Sequence, residues 1–341
     1  MPLSLALSEP NYRTAFDVIG SDTTVMFALE SIVDALWKFW SRGQRVERAG
    51  YMVGALLVAG GLVHLAILAI GGGSWEGPLS FRKPTTFGLS FGLTLITIVW
   101  VASFLALSDR SRSILLGVFT VACVLETALV TLQAWRGVPS HFNIETTFDG
   151  LVARTLAAGG FALVAIIVAL TVISFRNNPT VPISLRIAIQ IGLIALVGAV
   201  VVGALMIAKG MMLVFAGHPQ AAYATGGTLK PIHAVTMHGI LVLPALAWLL
   251  SFAQWSERRR LAVVVVAAIG YIVLSVVAAF ANVVGVDLWR MSTPTVALFV
   301  LGALSLVASS LGAVIAVARG SATDGIEPRS REIERFGQSE K

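Results

Sequence analysis

Between residues 50 and 317 the chain reads as long apolar blocks separated by short polar breaks, near 50–72, 83–107, 112–134, 151–175, 185–208, 232–253, 259–281 and 294–317. About 20 residues of helix cross a ~30 Å hydrocarbon layer, and each block is long enough. Backbone groups inside such a layer must bond within their own segment, so each block predicts a helix. The expected fold is all-α: a polytopic membrane bundle of eight transmembrane helices, 50–175 holding the first four and 185–317 the second four. Ahead of it Val25, Ala28, Ile32, Val33, Leu36 and Trp40 recur at helical spacing, interrupted by Glu30, Ser31, Asp34 and Lys38. That pattern is too polar to span and predicts an amphipathic helix over about 23–40, lying on the membrane surface within an N-terminal segment 1–49. Residues 1–21 show no period. The tail 318–341 is polar and charge-rich, and is expected to be disordered.

Composition agrees with this pattern. Of 341 residues, 57% are hydrophobic and 12% charged, about half the ~25% charge of a soluble domain. The lipid bilayer is the expected partner, and the net charge of +6 is not read as a nucleic-acid footprint. Cys123, the single cysteine, lies in an apolar block and reads as a packing residue, without a disulfide framework. No signal peptide is visible at the start. With the N-terminus in the cytoplasm, Arg82, Lys83, Arg136, Arg154, Lys209, Lys230 and Arg290 fall outside, and all others of the 24 Lys and Arg fall inside. The positive-inside rule therefore places both termini in the cytoplasm. Trp75, Trp135 and Trp289 fall at outer ends, and Trp37, Trp40 and Trp255 at the inner boundary. Trp100 and Trp248 lie one to two turns from that inner boundary, which completes an aromatic belt at each interface.

The two sets of four blocks share a faint register. Arg48, Gly54 and Gly60 have the same separations as Arg186, Gly192 and Gly198. Lys83-Pro84, Gly92 and Trp100 match Lys230-Pro231, Gly239 and Trp248 to within one residue, and Trp135-Arg136 matches Trp289-Arg290. Four helices return a chain to its starting side, so a duplication would leave both units in parallel orientation about an axis along the membrane normal.

Ionisable groups at membrane depth are costly and are functional candidates by default. His64, Glu126 and His238 each lie about 9–13 Å in from the outer ends of their blocks at ~1.5 Å per residue. Arg82, Lys83, Arg154 and Lys230 rim that end, with Gln133, His233 and Ser90 nearby. Thr86, Ser90, Thr94 and Thr97 form a hydroxyl stripe that reads first as interhelical glue. The loop Ser140-His141-Phe142-Asn143-Ile144-Glu145 is placed to fold back over the bundle, although His141, like His218, reads as a solvated loop residue. His233 and His238 are roughly 140° apart on a helix and do not face one metal.

The stretches Trp75-Glu76-Gly77-Pro78 through Arg82-Lys83-Pro84, Gln133-Ala134-Trp135-Arg136 through Ser140-His141-Phe142-Asn143, and His233-Ala234-Val235-Thr236-Met237-His238-Gly239 resemble bacterial multi-pass membrane proteins. The resemblance covers the bundle but not the tails. It implies a bacterial plasma-membrane location and carries no activity with it. The architecture is also similar to haem A synthase, a family of eight spans in two four-helix bundles, but that family's histidine pattern is absent. Three functions remain open. One is a cation-rimmed outer cavity that binds or transports a small anionic molecule, with Glu126 coupling a proton. Another is a redox protein holding one b-type haem between His64 and His238. The last is an accessory protein whose outer face binds a membrane-protein partner. No hydrolase, phosphate-loop or zinc-protease motif is present.

Overall fold

The computed structural model describes residues 23–77, 79–224, 229–286 and 290–324; the first 22 residues, most of the tail expected to be disordered, and Trp289 lie outside them. Among the described residues every regular element is a helix: α1 (Thr23–Arg42), α2 (Arg45–Gly71), α3 (Arg82–Ala102), α4 (Asp109–Trp135), α5 (Thr147–Ser174), α6 (Ile183–Phe215), α7 (Pro219–Ala224), α8 (Lys230–Leu250), α9 (Glu257–Val284) and α10 (Thr293–Asp324). Eight of them, α2 to α6 and α8 to α10, are long and apolar enough to cross a membrane. The chain is a multi-pass membrane protein.

Helix ends follow local chemistry. Ser108 and Thr146 cap α4 and α5 by accepting hydrogen bonds from the backbone of Ser111 (3.2 Å) and Asp149 (3.1 Å). Gly72 and Gly285 stop α2 and α9 in the left-handed conformation, at φ 63° and 69°, which glycine enters without steric cost. Several ends differ from the apolar pattern. The second span stops at Ala102 rather than 107, because 103–107 form a turn of short-range hydrogen bonds. The fifth continues past 208 to Phe215, and the last continues past 317 to Asp324. The short α7 carries no long apolar period and was not expected.

Helices approach closely where glycine permits it. A Cβ on Gly54 would lie 3.0 Å from the Gly92 carbonyl oxygen, and one on Gly192 would lie 3.1 Å from that of Gly239. Small residues that admit a neighbouring backbone are the usual means of packing helices in lipid, where no hydrophobic force drives association. Accordingly α2–α3 and α6–α8 are the most extensive pairs. The set α2 to α5 and the set α6, α8, α9, α10 repeat the same order of packing: first helix on second and third, second on third, third on fourth.

Local bonds recur as well. The hydroxyls of Ser103 and Ser251 donate to the carbonyls of Trp100 and Trp248, both at 2.6 Å. Arg112 donates to the Leu105 carbonyl and Arg260 to the Ala253 carbonyl, each seven residues back. Asp109 accepts from Gln44 at the head of α2 (2.6 Å), and Glu257 accepts from the Ser184 amide at the head of α6 (2.7 Å). The sets meet where α5 packs on α6 and α3 on α8.

At one end of this seam lies α1. Ala28, Ile32, Ala35 and Phe39, spaced at three and four residues, turn toward the bundle. Ala28 and Ile32 pack with Ala253, Ala316 and Val317. Phe39 meets the rings of Trp100 (6.3 Å), Phe104 (5.6 Å) and Trp248 (6.3 Å). A second face, Met26, Leu29, Val33, Leu36 and Trp37, is apolar and exposed. A third carries Glu30 and the Asp34–Lys38 ion pair (2.6 Å). At about 100° per residue the three faces divide the helix into bundle, apolar and polar thirds. We refer to this as the α1 end of the bundle, and to the other as the loop-covered end.

Candidate functional site

At the loop-covered end the chain between α4 and α5 folds back over the bundle. Gly137 turns it at φ 67°, and Phe142 holds a positive φ of 65°, uncommon for a bulky residue. That conformation sends the Phe142 ring against Gly210 of α6, tying the first set of helices to the second. Ser140 and Asn143 on either side are 2% and 1% exposed. His141 lies between the rings of Phe87 (5.8 Å) and Phe142 (6.1 Å). Burial, and then the neighbouring Lys83 ammonium, push its imidazole down to about 4, so it is neutral at ordinary pH. His141 is therefore not the solvated loop residue that its sequence context implies. His218, by contrast, is exposed.

Lys83 opens α3 and Lys230 opens α8. Each feels the other set's cations: the charges acting on Lys83 are Lys230 and Arg82, and Arg82 acts in turn on Lys230, opposed there by Glu76. Arg82 is neutralised by Glu76 at 3.1 Å. Among the described residues no carboxylate pairs with Lys83 or Lys230. Asn143 accepts from the Glu145 amide through its oxygen, while its buried Nδ2 group has no acceptor.

Beside the loop stands a second polar group. Gln133, 0% exposed, donates to Asp149 (2.8 Å), Arg136 donates to both Asp149 (2.5 Å) and Gln133, and Thr146 donates to the other Asp149 oxygen (2.6 Å). Arg136 also covers the Phe148 ring at 4.7 Å. Every member is satisfied, so the network anchors the loop rather than offering a vacancy. Asp149 escaped the sequence reading. Its signal was the Thr146-Thr147-Phe148-Asp149 start of α5, an N-cap followed three residues later by a carboxylate.

The expected cluster of His64, Glu126 and His238 does not form. His64 donates from Nδ1 to the Gly60 carbonyl (2.7 Å) and accepts at Nε2 from the Trp135 indole (3.1 Å), its ring stacked on Phe81. Glu126 faces Gly159 on α5. His238 sits exposed on α8, bonded only to the Ala234 carbonyl of its own helix (2.6 Å). No hydrogen bond or ring contact joins the three. The reason is azimuth: equal depth fixes height on a helix, not the direction in which a side chain leaves it. With both ring nitrogens of His64 engaged, and the two histidines in different helix sets, the pair does not suit a bis-imidazole haem. Among the described residues no group of three His, Cys, Asp or Glu is placed to hold a metal ion.

The remaining expected residues disperse. His233 binds the Ala199 carbonyl of α6 (2.7 Å) and packs beside Gly203. Arg154 bonds to the Gly150 carbonyl of its own helix (3.1 Å) on the exposed face that also carries Leu151 and Phe161. Ser90 is half-buried on α3. Thr86 and Thr97 return their hydroxyls to carbonyls of that same helix rather than lining a path. A shallow groove of about 370 Å³ lies at the α1 end, lined by Leu107, Ser108, Ser111, Ile114, Ile173 and Arg176 among others, none of them an expected site residue. The chain matches no protein-family model, curated protein or solved structure.

Proposed function

We propose that the protein binds a small anion at its loop-covered end, between Lys83 and Lys230. The observation that carries this reading is that Lys230 acts electrostatically on Lys83, from a matching position in the other helix set, while among the described residues neither lysine has an ion-pair partner and Glu76, which reaches Lys230, is itself paired with Arg82. Like charges within electrostatic reach of one another repel, and an anion between them reverses the sign. The Asn143 amide, buried without an acceptor, is a neutral donor in the same loop as His141, which Lys83 reaches and which is itself neutral. Internal duplication of a four-helix unit accounts for the matched lysines. In this reading the protein lies in a bacterial plasma membrane with both termini in the cytoplasm, and the loop-covered end faces outward. The Phe39, Trp100 and Trp248 rings fill the seam at the α1 end.

Thermal unfolding of the detergent-purified protein, with acetate, phosphate and sulfate each added at constant ionic strength, tests this reading. A ligand present at 100 times its Kd stabilises the native state by about 2.7 kcal/mol. At least one anion should raise the midpoint in the unaltered protein but not after Lys83→Gln. Equal shifts in both proteins would refute the site.

A further inference from the structure

Among the described residues Glu126 stands apart from the lysine pair and from every other charged group. It lies in α4 more than two turns from either end, 4% exposed. Its side chain enters a notch on α5 where Gly159 has no side chain: a Cβ there would stand 2.7 Å from the carboxyl Oε1. The Gly160 backbone lies beside it. Among the described residues the one other titratable group facing it is the Cys123 thiol, one turn earlier on α4 and itself buried. From α5, Arg154 is turned away onto the Gly150 carbonyl. From α2, Glu47 is paired with Arg112 at the α1 end (3.0 Å). From α3, Lys83 acts on His141 and is itself acted on by Lys230. Among the described residues no cation acts on Glu126.

An unpaired carboxylate at this depth costs a few kcal/mol even on the mildest insertion scale, and the neutral acid avoids that cost. A protonated carboxyl used as interhelical glue spends its proton on a neighbouring acceptor. Here the buried Oε1 has no hydrogen-bond partner of good geometry, with the Gly160 backbone N–H the nearby donor, so the shape of the notch rather than an outgoing hydrogen bond from the acid holds that oxygen. We propose that Glu126 is a proton-holding carboxylic acid, seated in the Gly159–Gly160 notch and reached from the lipid phase rather than from water. The proposal stands whether or not the lysine pair binds an anion, and its test uses no anion.

The probe is dicyclohexylcarbodiimide, a hydrophobic reagent for neutral carboxylic acids, compared with a water-soluble carbodiimide on the full-length protein. The acid O–H adds across one C=N bond to give an O-acylisourea, which rearranges to a stable N-acylurea with no group lost. Peptide mass spectrometry should find Glu126 modified by the hydrophobic reagent roughly tenfold more than by the soluble one, as expected for a group inside hydrocarbon. The yield should fall as pH rises. Gly159→Ala, which crowds the notch, should reduce it. Since that variant can misfold, infrared difference spectra provide a second measurement. The unaltered protein should show a protonated-carboxyl carbonyl band that Glu126→Gln, of nearly the same shape, lacks. No labelling in folded protein, equal labelling by both reagents, pH-independent labelling, or identical infrared spectra would overturn the proposal.

Discussion

Trp100 and Trp248, which occupy matching positions on α3 and α8, meet edge to face with ring centroids 5.9 Å apart and planes at 84°. Each closes the last turn of its helix, and each carbonyl accepts from the serine three residues on. At the opposite ends of the same two helices stand Lys83 and Lys230. One pair of matched residues therefore marks each end of the seam between the helix sets, aromatic at one and cationic at the other.

Phe39 wedges against both tryptophans, so α1 depends on this aromatic contact for its position. Phe39→Ala should cost about 1–3 kcal/mol for a half-buried aromatic. Hydrogen exchange should then rise over 28–40 with little change in the spans. Unchanged protection of α1 would mean that Ala28 and Ile32 hold it unaided.

Gly92 and Gly192 admit a facing backbone, whereas Gly60 and Gly198 face open space. Gly92→Ala and Gly192→Ala should each destabilise the bundle by about 1–3 kcal/mol through overpacking. Gly60→Ala and Gly198→Ala should be neutral or stabilising by up to about 1 kcal/mol, since alanine favours helix. Unfolding in mixed detergent measures all four.

His141 is neutral in the folded protein, its imidazole pushed down to about 4 from an ordinary 6.5. The unfolded chain takes up a proton below pH 6.5 that the fold refuses until about 4. Stability is thus fully present above the ordinary value and is lost as pH falls through this window, at up to about 1.4 kcal/mol per pH unit. His141→Gln should flatten the unfolding midpoint over that interval. An unchanged acid slope would remove His141 as its cause.

Orientation is tested by cysteine labelling in intact cells, in a Cys123→Ser background, since the native thiol is buried. Glu76 at the loop-covered end and Ser256 at the α1 end are both exposed. An impermeant maleimide should modify Glu76→Cys and spare Ser256→Cys. The reverse pattern would invert the protein.

Eight spans and an amphipathic helix ahead of them were legible because both rest on periodicity and length, which survive without tertiary information. The matching of Lys83 with Lys230, and of Trp100 with Trp248, was legible as spacing. The three-residue cluster was not, because depth alone cannot show that Trp135 captures His64 while His238 turns outward. His141 was misread for a related reason: a polar loop looks solvated until Phe142 is seen against Gly210. Asp149 was missed because its partners Gln133 and Arg136 lie 16 and 13 residues away, on another helix and its cap.

The central claim is an anion seated between Lys83 and Lys230, and a bromide-soaked crystal read by anomalous scattering tests it most directly. The anion site predicts a peak in contact with both ammonium groups, lost in Lys230→Gln crystals grown the same way. Bromide bound elsewhere on the protein with none between the two lysines would contradict it.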